Sequence, residues 1–505
     1  MPSFFRLILL VASCAAARWS RSHPRARAPA APRGSFNAST FSTPTTSWPQ
    51  PQTVSAAGPS CYYLPPEFAV AFEGPNSNDV TAAAAKRYPQ LFFAYGGGGG
   101  GGGGGSPPAG LSPLPAVTVR VTTGDGALRF GIDESYSLSV WGGAATITAP
   151  TAFGAVWALE TLSQRVARKF STSAAGAVNA SWYEVCDGNV TDAPRFPYRA
   201  LLIDTARHFI TVPAIKEVIS MLSYLKMNGL HIHFTDTQSW PLFIPARPEI
   251  SNASAFSPLH VFYPDDVREL VQYGRERGVV VFPEVDFPAH GDILTAVYPG
   301  MACWMPQGYA TLFNPLYEDL WPILRDIFSA VDAMFPPEYP IHIGGDQVDR
   351  NAWAQCTNVT AWAQQSGGKY QPADVTAWFE RTLFEMVSAP PPAGLNRTVM
   401  AWEDVGAGLI DGNWSGVAEK LILEQWDGSP GVWEWDTCVP LQQNGSVVIA
   451  GPFHIADTPE NNYVDLWNIT CLTPRAQQQI AGPELMVRFA RAVGARPRLG
   501  PPGSL

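Results

Sequence analysis

Charge is scarce in this chain. Only 15% of its residues are Asp, Glu, Lys or Arg, while 46% are hydrophobic, a balance that fits a globular protein with a large core. The charge that is present is net negative, −10. That argues against nucleic acid as the main partner, because phosphate binding needs a basic surface. Cysteine is also sparse. The seven cysteines include no C-x-x-C spacing, so no metal knuckle is encoded. No apolar run reaches bilayer length, and no membrane span is expected. No glycine-rich phosphate loop follows any strand-like segment, which disfavours an open doubly wound sheet.

The first 17 residues carry Arg6 and then an apolar run, Leu7–Ala17, with Ala15 and Ala17 in A-x-A arrangement. This reads as a signal peptide, residues 1–17. Residues 18–60 hold five Arg and no acid, a composition also found in organelle transit peptides. Two features favour secretion. Nine Asn-x-Ser/Thr sequons occur, at Asn37, Asn179, Asn189, Asn252, Asn358, Asn396, Asn413, Asn444 and Asn468, where chance gives about two. With Cys14 in the leader, six cysteines remain: Cys61, Cys186, Cys303, Cys356, Cys438 and Cys471. An even, sparse set suits disulfides of an oxidising compartment, with fifteen pairings open. The expected location is the secretory pathway, ending outside the cell or in a lysosome or vacuole.

The chain is long enough for two or three domains. Residues 18–60, rich in Pro, Ala, Ser and Thr, read as a disordered linker. Residues 61–185 read as a small α+β domain. It has strands at Val117–Val121, Ser135–Val140 and Ala145–Ala149, then a helix at Ala152–Val166. Ten consecutive glycines, Gly96–Gly105, interrupt it as a surface loop, since such a run has no side chains to bury.

From residue 194 to 485 the pattern becomes apolar strand, loop, amphipathic helix, repeated. Strands are expected at Tyr198–Asp204, Gly229–Asp236, Gly278–Asp286, Pro340–Asp346, Val399–Asp404, Leu421–Trp426 and Ser446–Pro452. The fold class is therefore α/β, a (β/α)8 TIM-type barrel preceded by the α+β domain.

A barrel gathers its chemistry at the C-terminal ends of its strands. Here those ends read His231-Ile232-His233-Phe234-Thr235-Asp236, Glu284-Val285-Asp286-Phe287-Pro288-Ala289-His290, Gly344-Gly345-Asp346-Gln347, Trp402-Glu403-Asp404 and Gln425-Trp426-Asp427. The first strand starts at Arg199 and ends at Asp204 and Arg207. Tryptophans beside carboxylates suit sugars, whose C–H faces pack on rings while acids take the hydroxyls. A single Trp is more often core. Two at consecutive strand ends shift the balance toward binding. His231 and His233 share a strand face near Asp236, as zinc ligands can, but no third ligand has a recognised spacing. No metal and no cofactor are expected.

These motifs resemble glycoside hydrolase family 20, the β-N-acetylhexosaminidases. The resemblance rests on Arg195–Arg199 with Leu202–Phe209, then H-I-H-F-T-D, F-P-A-H and G-G-D-Q in order. Asp133–Leu138, Gly154-Ala155 and Leu159–Thr161 resemble the domain before the barrel in that family. The resemblance covers about residues 61–470. It implies removal of terminal β-linked N-acetylglucosamine or N-acetylgalactosamine from glycans or chitooligosaccharides, with the substrate's acetamido oxygen as nucleophile. On the matching positions, Asp346 orients that group. Arg199 grips the distal hydroxyls. Trp402 and Trp426 wall the acetamido pocket, and Asp236 and His290 orient the catalytic pair. The resemblance also implies a Cys303–Cys356 disulfide, with Cys438–Cys471 and Cys61–Cys186 as the remaining pairs, and a possible homodimer.

Three positions depart from the family pattern. The acid position holds Gln347, and a carboxamide cannot cycle a proton near neutral pH. His454 falls where the seventh strand commonly ends in a Tyr that donates to the acetamido oxygen. Gly482-Pro483-Glu484 begins a segment similar to the eighth strand, but residues 485–505 lack the family's Trp–Glu pair. The eighth unit is accordingly expected to be degenerate or truncated, with 486–505 as an irregular tail. The expected function is exo-acting N-acetylhexosamine hydrolysis impaired at Gln347. The alternatives are an inactive glycan-binding protein and a transglycosylase that uses activated donors.

Overall fold

The computed structural model describes residues 47–55, 58, 60–74, 78–93, 107–172, 178–304, 310–402, 404–405, 420–425, 447–454 and 480–487. Gly96–Gly105, Trp426, Cys438 and Cys471 lie outside the described residues.

The N-terminal domain has a six-stranded sheet. Its order is Thr53–Val54, Gly188–Asp192, Tyr136–Trp141, Ala144–Ala149, Ala116–Val121, Ala69–Glu73. Alternation decides which face is covered. Val117, Val119 and Val121 are buried, as are Tyr136, Leu138 and Val140, while Arg120 is exposed. The helices Asp79–Phe92 and Ala152–Arg165 lie against the sheet. Thr151 caps the second, accepting from Gly154 N. Every residue from Ala152 to Leu162 in that helix is buried, because it is enclosed between sheet and barrel. Trp157, for instance, packs on Gly278 beside barrel strand Val280–Glu284.

A four-stranded sheet, ordered Ser112–Pro113, Cys61–Tyr63, Val178–Cys186, Ala167–Thr172, flanks the first. Cys61 and Cys186 face each other across its antiparallel pair and form a disulfide. Two expected boundaries move. Thr53–Val54 pairs with Val190 and Thr191, so the end of the supposed 18–60 linker is an edge strand. Gly188–Asp192 likewise carries this domain beyond residue 185.

Eight parallel strands close the barrel: β1 Ala200–Asp204, β2 Gly229–His233, β3 Val280–Glu284, β4 Ile341–His342, β5 Val399–Trp402, β6 Leu421–Gln425, β7 Val447–His454 and β8 Ile480–Val487. β1, β2 and β3 are buried at every position, as strands sealed on both faces must be. The expected degenerate eighth unit is corrected on one point, since β8 is present and pairs with both β7 and β1. Pro483 has no N–H to give to the ladder, and the β7–β8 register shifts around Ala450 and Pro483. That proline weakens the strand signal, which the sequence carries only as the likeness that begins at Gly482-Pro483-Glu484.

After β3 the chain makes a hairpin, Ala302–Trp304 with Ala310–Phe313. A Cys303–Cys356 disulfide, with Cα atoms 5.9 Å apart, ties it to the head of helix Thr357–Gln365.

Candidate active site

The loop after β4 explains its own sequence. Gly344 and Gly345 have φ of +74° and +101°, a region that L-residues rarely enter. A Cβ on Gly344 would sit 1.8 Å from Asp286 Oδ1, and one on Gly345 2.2 Å from Val405 Cγ2. Both positions therefore need glycine twice over, for conformation and for space. The turn buries Asp346 and leaves Gln347 exposed at φ +56°. A side-chain-bearing residue held in that region is strained, and such strain gathers at functional sites.

Three strand ends bring charge to Asp346. His290, in the turn after β3, lies between two acids. Its Nδ1 is 3.1 Å from Asp236 Oδ2 and its Nε2 is 3.1 Å from Asp346 Oδ1. The second approach is an ion-pair contact, not an aligned hydrogen bond. Asp286 accepts from Gly345 N at 2.9 Å and stands 4.0 Å from His290 Nε2.

Arg207, after β1, pairs with Asp204 at 2.8 Å and also with Asp236. Beneath this rim Glu284 is shared. His233 Nδ1 reaches its Oε2 at 2.6 Å, and Trp402 Nε1 donates to its Oε1 at 2.7 Å. His231 and His342 stand 3.2 Å and 3.4 Å from the same carboxylate.

These neighbours set the protonation pattern. Burial would lower the His290 pKa, but the charge of Asp286 and its contacts with Asp236 and Asp346 outweigh it and push it up to about 11. His233 follows the same logic against Glu284 and Asp236 and is pushed up to about 10. Burial would raise Asp236, but His233 and His290 hold it well below the carboxylate range. Asp346 is lowered likewise, burial being overcome by His290. Asp286 goes the other way. Burial and the adjacent Asp346 charge push it well above its usual range. The site thus favours the carboxylate at Asp346 and an imidazolium between Asp346 and Asp236, and of the acids here Asp286 is the one whose surroundings favour keeping its proton.

Among the described residues at this rim, three groupings could be asked to hold a metal: His231 with Glu284 and His342, His233 with Glu284 and Asp286, and Asp286 with His290 and Asp346. Two ligands of tetrahedral zinc stand about 3.4 Å apart. The 2.6 Å between His233 and Glu284 is instead the distance of a shared proton.

Of the residues singled out by sequence, Asp236, His290 and Asp346 come together, with Gln347 beside them. Trp402 lies next to Glu284 inside the barrel, 2% exposed. His454 ends β7.

Arg199 is a correction. It precedes β1 at the opposite end, about 16 Å from Asp204 at 3.3 Å per residue. Its guanidinium forks onto Glu134 of the N-terminal domain, at 3.0 and 2.9 Å. It also donates to the carbonyls of Lys226 and Phe196. The cation at the rim is Arg207. Its place in Asp204-Thr205-Ala206-Arg207, beyond the strand's C-terminal end, was the signal available for it. Glu284 and Asp286 were also readable as strand-end acids.

A closed (β/α)8 barrel with its charged groups at the C-terminal rim is the architecture of a barrel enzyme. The model of glycosyl hydrolase family 20, catalytic domain, matches residues 196–456, and that of a β-acetyl hexosaminidase-like domain matches 106–165. The chain belongs to glycosyl hydrolase family 20. It is 31% identical over 348 residues to the β-hexosaminidase of Emericella nidulans, covering 62% of this chain and 52% of that one. It is 35% identical over 263 residues to β-hexosaminidase 1 of Arabidopsis thaliana, covering 50% and 46%. The aligned stretches thus span about half the length of these relatives. Among solved structures, a chitobiase of Flavobacterium johnsoniae shares the fold at TM-score 0.66 and 20% identity, covering 87% of this chain and 64% of that one.

Proposed function

We propose that this chain binds terminal β-linked N-acetylhexosamine and cleaves it by substrate-assisted, retaining chemistry, at a rate limited by Gln347. The observation that carries this reading is the Asp236–His290–Asp346 chain ending beside an exposed Gln347. An ionised Asp346 suits the task of orienting an acetamido group and stabilising the positive oxazolinium it forms. The bond to the anomeric carbon is made by the acetamido oxygen, so the protein needs no nucleophile of its own. The leaving oxygen needs a proton, and Gln347 has none to give. Absence of a general acid costs about 10²–10⁴-fold in rate, most for an alkoxide leaving group. The names of the relatives support the substrate class.

The same feature favours a second reading, a glycan-binding protein without turnover, because substitution of the acid leaves the polar chain around Asp346 intact. Trp402 and Trp426 belong to this proposal as pocket walls, and His454 as a donor to the acetamido oxygen. Secretion is proposed on the two disulfides and on the sequons, of which Asn189, Asn252 and Asn396 are exposed. A homodimer is proposed by resemblance alone.

The test is release of N-acetylglucosamine from chitobiose by the wild type and by Gln347→Glu. The Glu variant is expected to be faster by about 10²-fold or more. Equal, ordinary rates would sink the assignment of position 347. Saturable binding of a thiazoline analogue without turnover by the wild type would favour the second reading.

A further inference from the structure

A buried acid sits behind the loop that carries Asp346 and Gln347. Glu380, in helix Val375–Ser388, is 2% exposed, and neither carboxyl oxygen has a hydrogen-bond partner among the described residues. One helical turn before it, on the same face, the buried Thr376 hydroxyl is equally without a partner among them. Two unsatisfied polar groups side by side in a protein interior are costly and call for an explanation.

The charged groups that act on Glu380 are Arg350 and Asp404. The other elements around its helix offer none among the described residues. Asp374, before the helix, is turned to Gln371 N. β5 carries no ionisable side chain. In helix Leu320–Met334, which packs Trp321 on Phe379, Arg325 is exposed to solvent, and Asp326 and Asp332 are taken by Arg247 and Arg397.

Arg350 heads helix Arg350–Ala354, whose Trp353 packs on Phe379, the neighbour of Glu380. Its guanidinium donates to the Asp404 carbonyl at 2.5 Å. Arg350 stands three residues after Gln347, and Val405, next to Asp404, abuts Gly345. The Arg350–Asp404 bond therefore staples the catalytic loop to the turn after β5, with Glu380 waiting behind the staple.

We infer that Glu380 is a positioning residue whose carboxyl competes with the Asp404 carbonyl for the Arg350 guanidinium and so governs the seat of Asp346 and Gln347. Burial pushes the Glu380 pKa up to about 8, the Asp404 charge adding to this and Arg350 opposing it. Below that pH the acid is neutral and Arg350 stays on Asp404. Above it the carboxylate, desolvated beside a guanidinium, attracts Arg350 more strongly than a carbonyl can. The staple opens and the 344–350 loop loosens.

The inference rests on the reading of this loop as the catalytic one, so its primary test needs no ligand. Hydrogen exchange of the backbone amides of residues 345–352 is measured on the full chain at about pH 6.5 and about pH 9.5, corrected for intrinsic exchange. Wild-type protection, taken relative to that of β2 so that any global loss of stability cancels, is expected to fall about tenfold across that range, the worth of one charge-assisted hydrogen bond. Glu380→Gln should hold the low-pH value at both. Arg350→Met should show low protection at both. A flat wild-type profile overturns the inference, as does a pH dependence that survives in either variant. Should Glu380→Gln fail to fold, Arg350→Met decides alone. Affinity for a thiazoline analogue of the oxazoline intermediate forms a separate arm. A loop that switches while the analogue never binds leaves this inference standing and removes the function proposed for the site.

Discussion

Replacing Arg199 by Met distinguishes a cation that binds substrate from one that joins domains. Arg199 and Glu134 have side-chain exposures of only 16% and 3%, so salt screens the pair weakly. Breaking a buried pair from one side costs about 3–5 kcal/mol, because the remaining charge is left desolvated. Glu134 keeps two donors, Trp157 Nε1 at 2.7 Å and Asn228 Nδ2 at 3.2 Å, which pulls the cost toward the lower end. The lost bonds to the Lys226 and Phe196 carbonyls add about 1 kcal/mol each. The expected loss is about 5 kcal/mol, a large share of a typical total. The assay is urea unfolding followed by tryptophan fluorescence, with calorimetric titration of chitobiose on the folded variant. Stability should drop and affinity should hold. The double variant Glu134→Gln/Arg199→Met should recover part of the loss, since an amide tolerates burial without a cation. A variant as stable as wild type that no longer binds chitobiose would refute the placement of Arg199 at the domain junction.

His290 and His233 carry raised pKa values, about 11 and about 10. Their stabilisation is complete below the unfolded value near 6.5 and is lost as pH rises through the folded ones. Urea resistance should therefore decline from about pH 6.5 toward about pH 11, and His290→Gln should flatten part of that decline. Identical slopes in the two proteins would contradict the ion-pair chain. Trp402→Phe removes the aligned donor to Glu284 Oε1, because His342 Nδ1 already accepts from Gly344 N. It should cost about 1–3 kcal/mol in urea unfolding. No measurable change would mean that another donor serves Glu284.

Much of the fold was legible from residue patterns. Strands buried on both faces read as apolar runs, as in Leu201-Leu202-Ile203, and the helices between them kept their period. Several strands were not read, Cys61–Tyr63, Ala69–Glu73 and Val178–Cys186 among them, and two others show why. Thr53–Val54 is too short to show alternation. β8 contains Gly482 and Pro483, which weigh against any strand. Site residues were legible where a motif fixed their order, as in Gly344-Gly345-Asp346-Gln347. Arg199 and Arg207 bracket the same strand, and only Arg207 lies at its C-terminal end, where barrel chemistry gathers, so the sequence carried the signal that the family likeness at Arg199 obscured.

By itself the sequence determined the strand–helix alternation, the family, the residue types at the strand ends and the absence of a titrating proton at position 347. These follow from period, order and side-chain chemistry, which need no coordinates. Only the tertiary structure decided that His290 stands between Asp236 and Asp346, that Glu284 is shared by Trp402 and His233, that Arg199 belongs to the domain junction and that Glu380 is buried behind the loop within reach of the Arg350 and Asp404 charges. Each of those depends on distances between segments remote in the chain, and burial there sets the charge each group can carry.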